Sequence, residues 1–206
     1  MGDSKTSEVI DLSNPKSKCK PWPTLNTKMA TGQLIGNNFI VCGGYPKATS
    51  KNCYKISPTK IESIPGLQFP SSAGTSAVID NSLFVASGND YISKTEYISE
   101  KANQMGPNLP GDRNLACMIQ MGKDKVMLTG GSSSRDYFKS THIFDRTIGK
   151  WESGPSMIEY HVGHGCGAFQ LGNNLVCVVA GRFRFGKVEF LMPCNDPNAK
   201  WVQGMS

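Results

Sequence analysis

The stretch "LIGNNFIVCGG", residues Leu34 to Gly44, holds two apolar residues, a turn on Gly36, Asn37 and Asn38, a β-rich run and two glycines. Glycine and asparagine accept the positive φ that a tight hairpin demands, so the stretch predicts two strands joined by a turn and left by a sharp exit. Near-copies stand at Val78 to Gly88 ("VIDNSLFVASG"), Met121 to Gly131 ("MGKDKVMLTGG") and Leu171 to Gly181 ("LGNNLVCVVAG"). Their closing glycines, Gly44, Gly88, Gly131 and Gly181, are 44, 43 and 50 residues apart, the period of solenoids and propellers.

Two further strand signals fill each interval. The third strand is predicted from "KNCYKI" (Lys51 to Ile56), "KTEYIS" (Lys94 to Ser99), "STHIFD" (Ser140 to Asp145) and "GKVEFL" (Gly186 to Leu191), each with an aromatic among alternating residues. An outer strand follows. Phe144 leads to Trp151 and "GPSM", Tyr97 to Asn103 and "GPNL", Tyr54 to Ile61 and Pro65-Gly66-Leu67, and the last unit ends in Trp201 and Gly204-Met205. The segment Val9 to Trp22 repeats the second half alone. The chain therefore reads as a half repeat at 7–29 and whole repeats at 30–68, 69–110, 111–158 and 159–206, each a four-stranded antiparallel meander. Sheets this small must bury their faces against neighbours, and radial packing around an axis achieves that with few free edges.

Composition agrees with an all-β reading. Over 206 residues, 38% are hydrophobic and 18% charged, glycine reaches 22 and proline 12, and no long run keeps a helical apolar period. The net charge of +6 is spread along the chain without a dense basic block, which disfavours nucleic acid, and no apolar run is long enough for a membrane helix. The polar segment Met1 to Ser13 does not read as a secretory signal. Seven cysteines form no Cys-x-x-Cys pair and several lie in apolar runs, so reduced thiols and a cytoplasmic location are expected.

A double glycine, then an aromatic, then a tryptophan six or seven residues on is the signature of the kelch repeat. "VMLTGGSSSRDYFKSTHIFDRTIGKWESGPSM", Val126 to Met157, is similar to it along its length. The other copies are weaker, with Ser87-Gly88 and Ala180-Gly181 in place of Gly-Gly. The resemblance implies a kelch-type β-propeller of four whole four-stranded blades plus a leading half blade, belonging to a longer propeller. It further implies a non-enzymatic protein-interaction module, resembling the substrate-recognition propeller of kelch-like adaptors for cullin-RING ubiquitin ligases, whose cullin-binding regions would lie outside this sequence. An actin-binding or scaffold kelch protein is the alternative, and a propeller enzyme acting on sugars a more distant one.

No catalytic triad, paired-carboxylate motif or cofactor signature can be placed. "HVGHGC" (His161 to Cys166) offers borderline ligands within six residues, but extended-strand geometry favours structural roles over a metal site. Function is then expected on loops after the glycines and before first strands, where propeller loops gather. Arg113, Arg135, Arg182 and Arg184 are the candidate contacts to a protein partner or acidic peptide segment, with Tyr45, Tyr91, Tyr160 and His161 beside them, because arginine and tyrosine anchor interfaces.

Overall fold

The computed structural model describes residues 7–9, 18, 20–86, 88, 93–181 and 187–204. Among the described residues it is all-β, apart from one 3-10 turn at Lys47–Thr49. Strands β1 (Ser7–Val9) and β2 (Lys20–Trp22) form an antiparallel pair. Then come four antiparallel sheets of four strands each. The first holds β3 (Thr31–Ile35), β4 (Asn38–Cys42), β5 (Cys53–Ser57) and β6 (Lys60–Ile64). The second holds β7 (Thr75–Ile79), β8 (Ser82–Ala86), β9 (Thr95–Ile98) and β10 (Gln104–Met105). The third holds β11 (Cys117–Gln120), β12 (Lys125–Thr129), β13 (Thr141–Asp145) and β14 (Lys150–Ser153). The fourth holds β15 (Gly165–Leu171), β16 (Asn174–Ala180), β17 (Val188–Leu191) and β18 (Trp201–Gln203). Each is a simple meander, strand pairing with the next strand in sequence.

The first strands β3, β7, β11 and β15 adjoin one another in that order. Thr31 Oγ1 lies 2.7 Å from Ser76 Oγ, Gln33 Nε2 donates to the Ser76 carbonyl at 2.9 Å, and the Met118 amide donates to Thr75 Oγ1 at 2.9 Å. A disulfide between Cys117 and Cys166 joins β11 to β15. Side chains alternate along each strand, so the two middle sheets send one set toward the sheet before and the other toward the sheet after.

Three apolar seams result. Ile40, Cys42 and Cys53 of the first sheet meet Leu83, Val85 and Ile98 of the second. Ala77, Ile79, Phe84 and Ala86 of the second meet Met118, Val126, Leu128 and Phe144 of the third, with Tyr97 and Trp151 packed alongside. Ile119 and Met127 of the third meet Cys177, Val179, Leu191 and Trp201 of the fourth. The outward faces of the end sheets differ. Leu34 and Phe39 on the first and Phe169, Leu171 and Val202 on the fourth are exposed.

The turns behave as their residues require. Asp80 and Asn81 both take positive φ between β7 and β8, as a two-residue hairpin turn demands. Gly130 leaves β12 at φ +56°, and a Cβ there would collide with the His161 carbonyl oxygen. This close approach lets the exit of one sheet touch the segment entering the next.

Register departs from the sequence reading in two places. Tyr97 pairs with Phe84 and faces the third sheet, whereas Phe144 pairs with Val126 and faces back toward the second; the two aromatics fill one seam from opposite sides. Ala180 pairs with Gly165 as Thr129 pairs with Cys117, so Gly181 stands where Gly130 does and not where Gly131 does.

The expectation of reduced thiols is corrected. Six cysteines are disulfide-bonded: Cys42–Cys53, Cys117–Cys166 and Cys177–Cys194, while Cys19 lies outside the described residues. The reason is placement across strands and sheets: Cys42 faces Cys53 in the β4–β5 register, and β11 adjoins β15. Among the described residues, no helix is long and apolar enough to cross a membrane.

Candidate partner-binding loop end

Exits from second strands and entries to first strands collect at one end of the sheets. The Gly44 amide donates to the Ser71 carbonyl at 2.7 Å, and the Gly131 amide to the His161 carbonyl at 2.7 Å. The loop candidates among the described residues sit at this end, and they divide by burial.

Arg113 and His161 are corrected from surface contacts to internal braces, being 4% and 1% exposed. Arg113 donates through Nη1 to the carbonyls of Gly130 (2.8 Å) and Ser140 (3.2 Å), and through Nη2 to Ser140 Oγ (2.6 Å). The same nitrogen lies 2.8 Å from His142 Nε2, and the Phe138 ring covers the guanidinium at 4.4 Å. Burial lowers the Arg113 pKa to about 10, and burial followed by the Arg113 charge lowers that of His142 to about 4. A neutral His142 can accept the guanidinium's proton-bearing edge, which a charged one cannot.

His161 Nε2 lies 3.1 Å from Glu189 Oε1, both side chains being buried. Glu189 also accepts the amides of Ile158 (2.7 Å) and Glu159 (2.8 Å). Burial pushes its carboxyl up, but the bonds from His161 and the two amides outweigh that and leave it lowered. Two sheets earlier, Glu96 receives the amides of Gln68 and Phe69 in the same way, at 2.8 and 3.0 Å. Each carboxylate thus pins the segment that crosses from one sheet to the next. Sequence reasoning missed both glutamates; the signal was their position directly before the third-strand aromatics Tyr97 and Phe190.

His164, the other histidine of "HVGHGC", meets Thr129 Oγ1 at 2.8 Å, and burial, then the neighbouring His161, lowers its pKa to about 3. Cys166 is committed to its disulfide. Among the described residues no group of three potential ligands is assembled for a metal.

Tyr45 and Tyr160 remain outside, 58% and 41% exposed, and Arg135 is exposed on the turn that Ser133 and Asp136 close by mutual hydrogen bonds. Lys139 holds its ammonium 4.7 Å over the Tyr160 ring while donating to the Ile158 carbonyl. Tyr137 and Ile158 are exposed alongside. Lys139, Tyr137 and Ile158 were not anticipated, although an aromatic and a cation after the double glycine were in plain view. Arg182, Arg184 and Tyr91 lie outside the described residues.

The first strands also line an open cavity of about 630 Å³. Its walls carry the carboxamides of Gln33, Gln120 and Gln170 beside Met118, Cys166 and Phe169. Gln120 and Gln170 each donate to the carbonyl of a glycine two residues on, Gly122 and Gly172.

No family model matches the chain, and no curated protein matches it.

Proposed function

We propose that this chain is a kelch-type β-propeller array serving as a non-enzymatic protein-recognition module, which takes an acidic peptide segment at its loop end. The reading is supported by the division just described. Arg113, His161, Glu96 and Glu189 spend their polar groups internally and hold the crossing segments, while Tyr45, Arg135, Lys139, Tyr160 and Ile158 are left outward on that rigid base. Exposed tyrosines beside cations supply apolar contact area and charge together. The observation that carries it is the Lys139–Tyr160 pair, a cation held over an exposed ring.

The test is fluorescence polarisation with a labelled peptide rich in Asp and Glu. Arg135→Glu with Lys139→Glu should weaken binding by about tenfold or more, and raised salt should weaken the parent's binding likewise. Unchanged affinity in the double variant refutes the assignment.

Similarity to kelch repeats supplies a more specific form, an adaptor for a cullin-RING ubiquitin ligase, with actin binding or scaffolding as the other. Both are cytosolic roles. The three disulfides favour an oxidising compartment and so weigh toward recognition outside the reducing cytosol. Alkylation of free thiols in intact cells, followed by mass spectrometry, decides between them: blocked Cys117 and Cys166 support the cytosolic form, and protected ones the other.

A further inference from the structure

The seams between sheets are equivalent in position but not in filling. In the third sheet Phe144 pairs with Trp151, and in the fourth Leu191 pairs with Trp201. Trp201 packs into the seam and donates through Nε1 to the Pro155 carbonyl, at the end of the sheet before, at 2.8 Å. In the second sheet Gln104 pairs with Tyr97, which puts Asn103 beside Ile98 at the tryptophan's position. Asn103 Nδ2 donates to the carbonyls of Pro65 (3.0 Å) and Gly66 (2.8 Å), again at the end of the preceding sheet. Asparagine therefore keeps the tryptophan's hydrogen bond and gives up its ring.

The volume it leaves is visible. Between the first and second sheets opens a cleft of about 340 Å³, walled by Ile35, Ile40, Ile64 and Ile98, with Ser99 and Lys101 on its rim. Ser99 is tied to Asn103, its amide donating to Oδ1 at 3.4 Å, so the cleft and the substituted position are neighbours. Opposite, Lys55 stands where Tyr97 and Ile143 stand in the later sheets, and it turns to Glu100 at 2.8 Å instead of filling the gap. The ion pair sets both charges against each other beside the isoleucines, of which Ile35 and Ile64 are half-buried and Ile40 and Ile98 buried. The size falls at the lower end of small-molecule sites, and the lining sets four isoleucines against Asn81, Ser99, Glu100 and Lys101.

We propose that this cleft is a binding site for a small, uncharged, planar aromatic molecule of about the size of an indole. The other two seams identify the occupant's chemistry, since the same wedge is filled there by indole rings of the chain itself, Trp151 and Trp201. The site is separate from the loop end and does not rest on the function proposed for it.

Free indole is the probe, and the isoleucine methyls are the reporters. In the full chain labelled at isoleucine methyl groups, indole titration should move the resonances of Ile35, Ile40, Ile64 and Ile98 saturably. Asn103→Trp should fill the cleft from within, abolish those shifts and raise Tm by about 3 °C. Ile98→Phe, which narrows the cleft from its floor, should weaken indole by at least about tenfold. Shifts that are missing up to the solubility limit of indole, or that persist in both variants, overturn the proposal. A tryptophan-bearing peptide that moves these methyls when free indole does not also overturns it, assigning the cleft to a protein partner.

Discussion

Phe84 and Phe144 stack across the seam between the second and third sheets with ring centroids 5.3 Å apart and planes 18° from parallel. Tyr97 and Trp151 flank them at 4.7 and 5.2 Å from Phe84 and Phe144 respectively. Neither sheet could bury these rings alone. Phe144→Ala should therefore cost about 3–5 kcal/mol, through lost transfer free energy and an unfilled cavity. Urea unfolding followed by fluorescence measures it. Leu34→Ala, on the exposed face of the first sheet, should move the midpoint far less.

Glu189 holds three donors with its two oxygens inside the protein. Glu189→Ala would orphan the Ile158 and Glu159 amides and leave His161 facing an apolar methyl, at a cost of about 3 kcal/mol. Glu62→Ala removes an exposed pairing with Lys60 and a weaker attraction to Lys55, and should be nearly neutral. Equal effects of the two changes would contradict the bracing role.

Acid should destabilise the fold earlier than carboxylates alone would require. His142 and His164 have pKa values lowered to about 4 and about 3, so between those values and the ordinary histidine range the unfolded chain binds more protons than the folded one. Stability then rises with pH across that window. It is complete above about pH 6.5 and is lost as pH falls toward the folded values. Glu189, with its pKa lowered, adds loss in the same direction below the ordinary carboxylate range. Chemical denaturation at pH 7, 5.5 and 4.5 should show a falling midpoint. Replacing both histidines by glutamine should flatten the trend, and an unaltered slope would show that neither titrates as described.

The Cys117–Cys166 disulfide closes a separation of 49 residues and ties two first strands together. Constraint of the unfolded chain by a loop of that length is worth about 4 kcal/mol. Cys117→Ser and Cys166→Ser should therefore each lower stability by similar amounts, and under a reductant, which also opens the other two disulfides, the parent and both variants should converge. A parent insensitive to reductant would contradict the bond.

Much of the architecture was legible because hairpin turns are local. Glycine, asparagine and aspartate announced the β7–β8 and β15–β16 turns by their tolerance of positive φ, and alternation announced the strands. Facing direction was less legible, since one residue of offset reverses it: Tyr97 and Phe144 look alike in sequence yet point to opposite sides of their sheets. The loop-end residues divided for a similar reason. Arg113 and His161 both precede first strands and turn inward, Arg113 onto the Gly130 and Ser140 carbonyls and His161 onto Glu189, and composition alone does not separate them from Tyr160 on the outside. Disulfide pairing escaped entirely, because it depends on which strands become neighbours and not on spacing.

The central claim is that successive four-stranded sheets lean on one another with their first strands side by side. The most direct measurement is a proton–proton cross-relaxation map of the isotope-labelled chain. The account predicts cross-peaks from the Met118 amide to the Thr75 side chain, from Thr31 to Ser76, and between the Phe84 and Phe144 rings. Intact hairpins β7–β8 and β11–β12 without those inter-sheet peaks would contradict it.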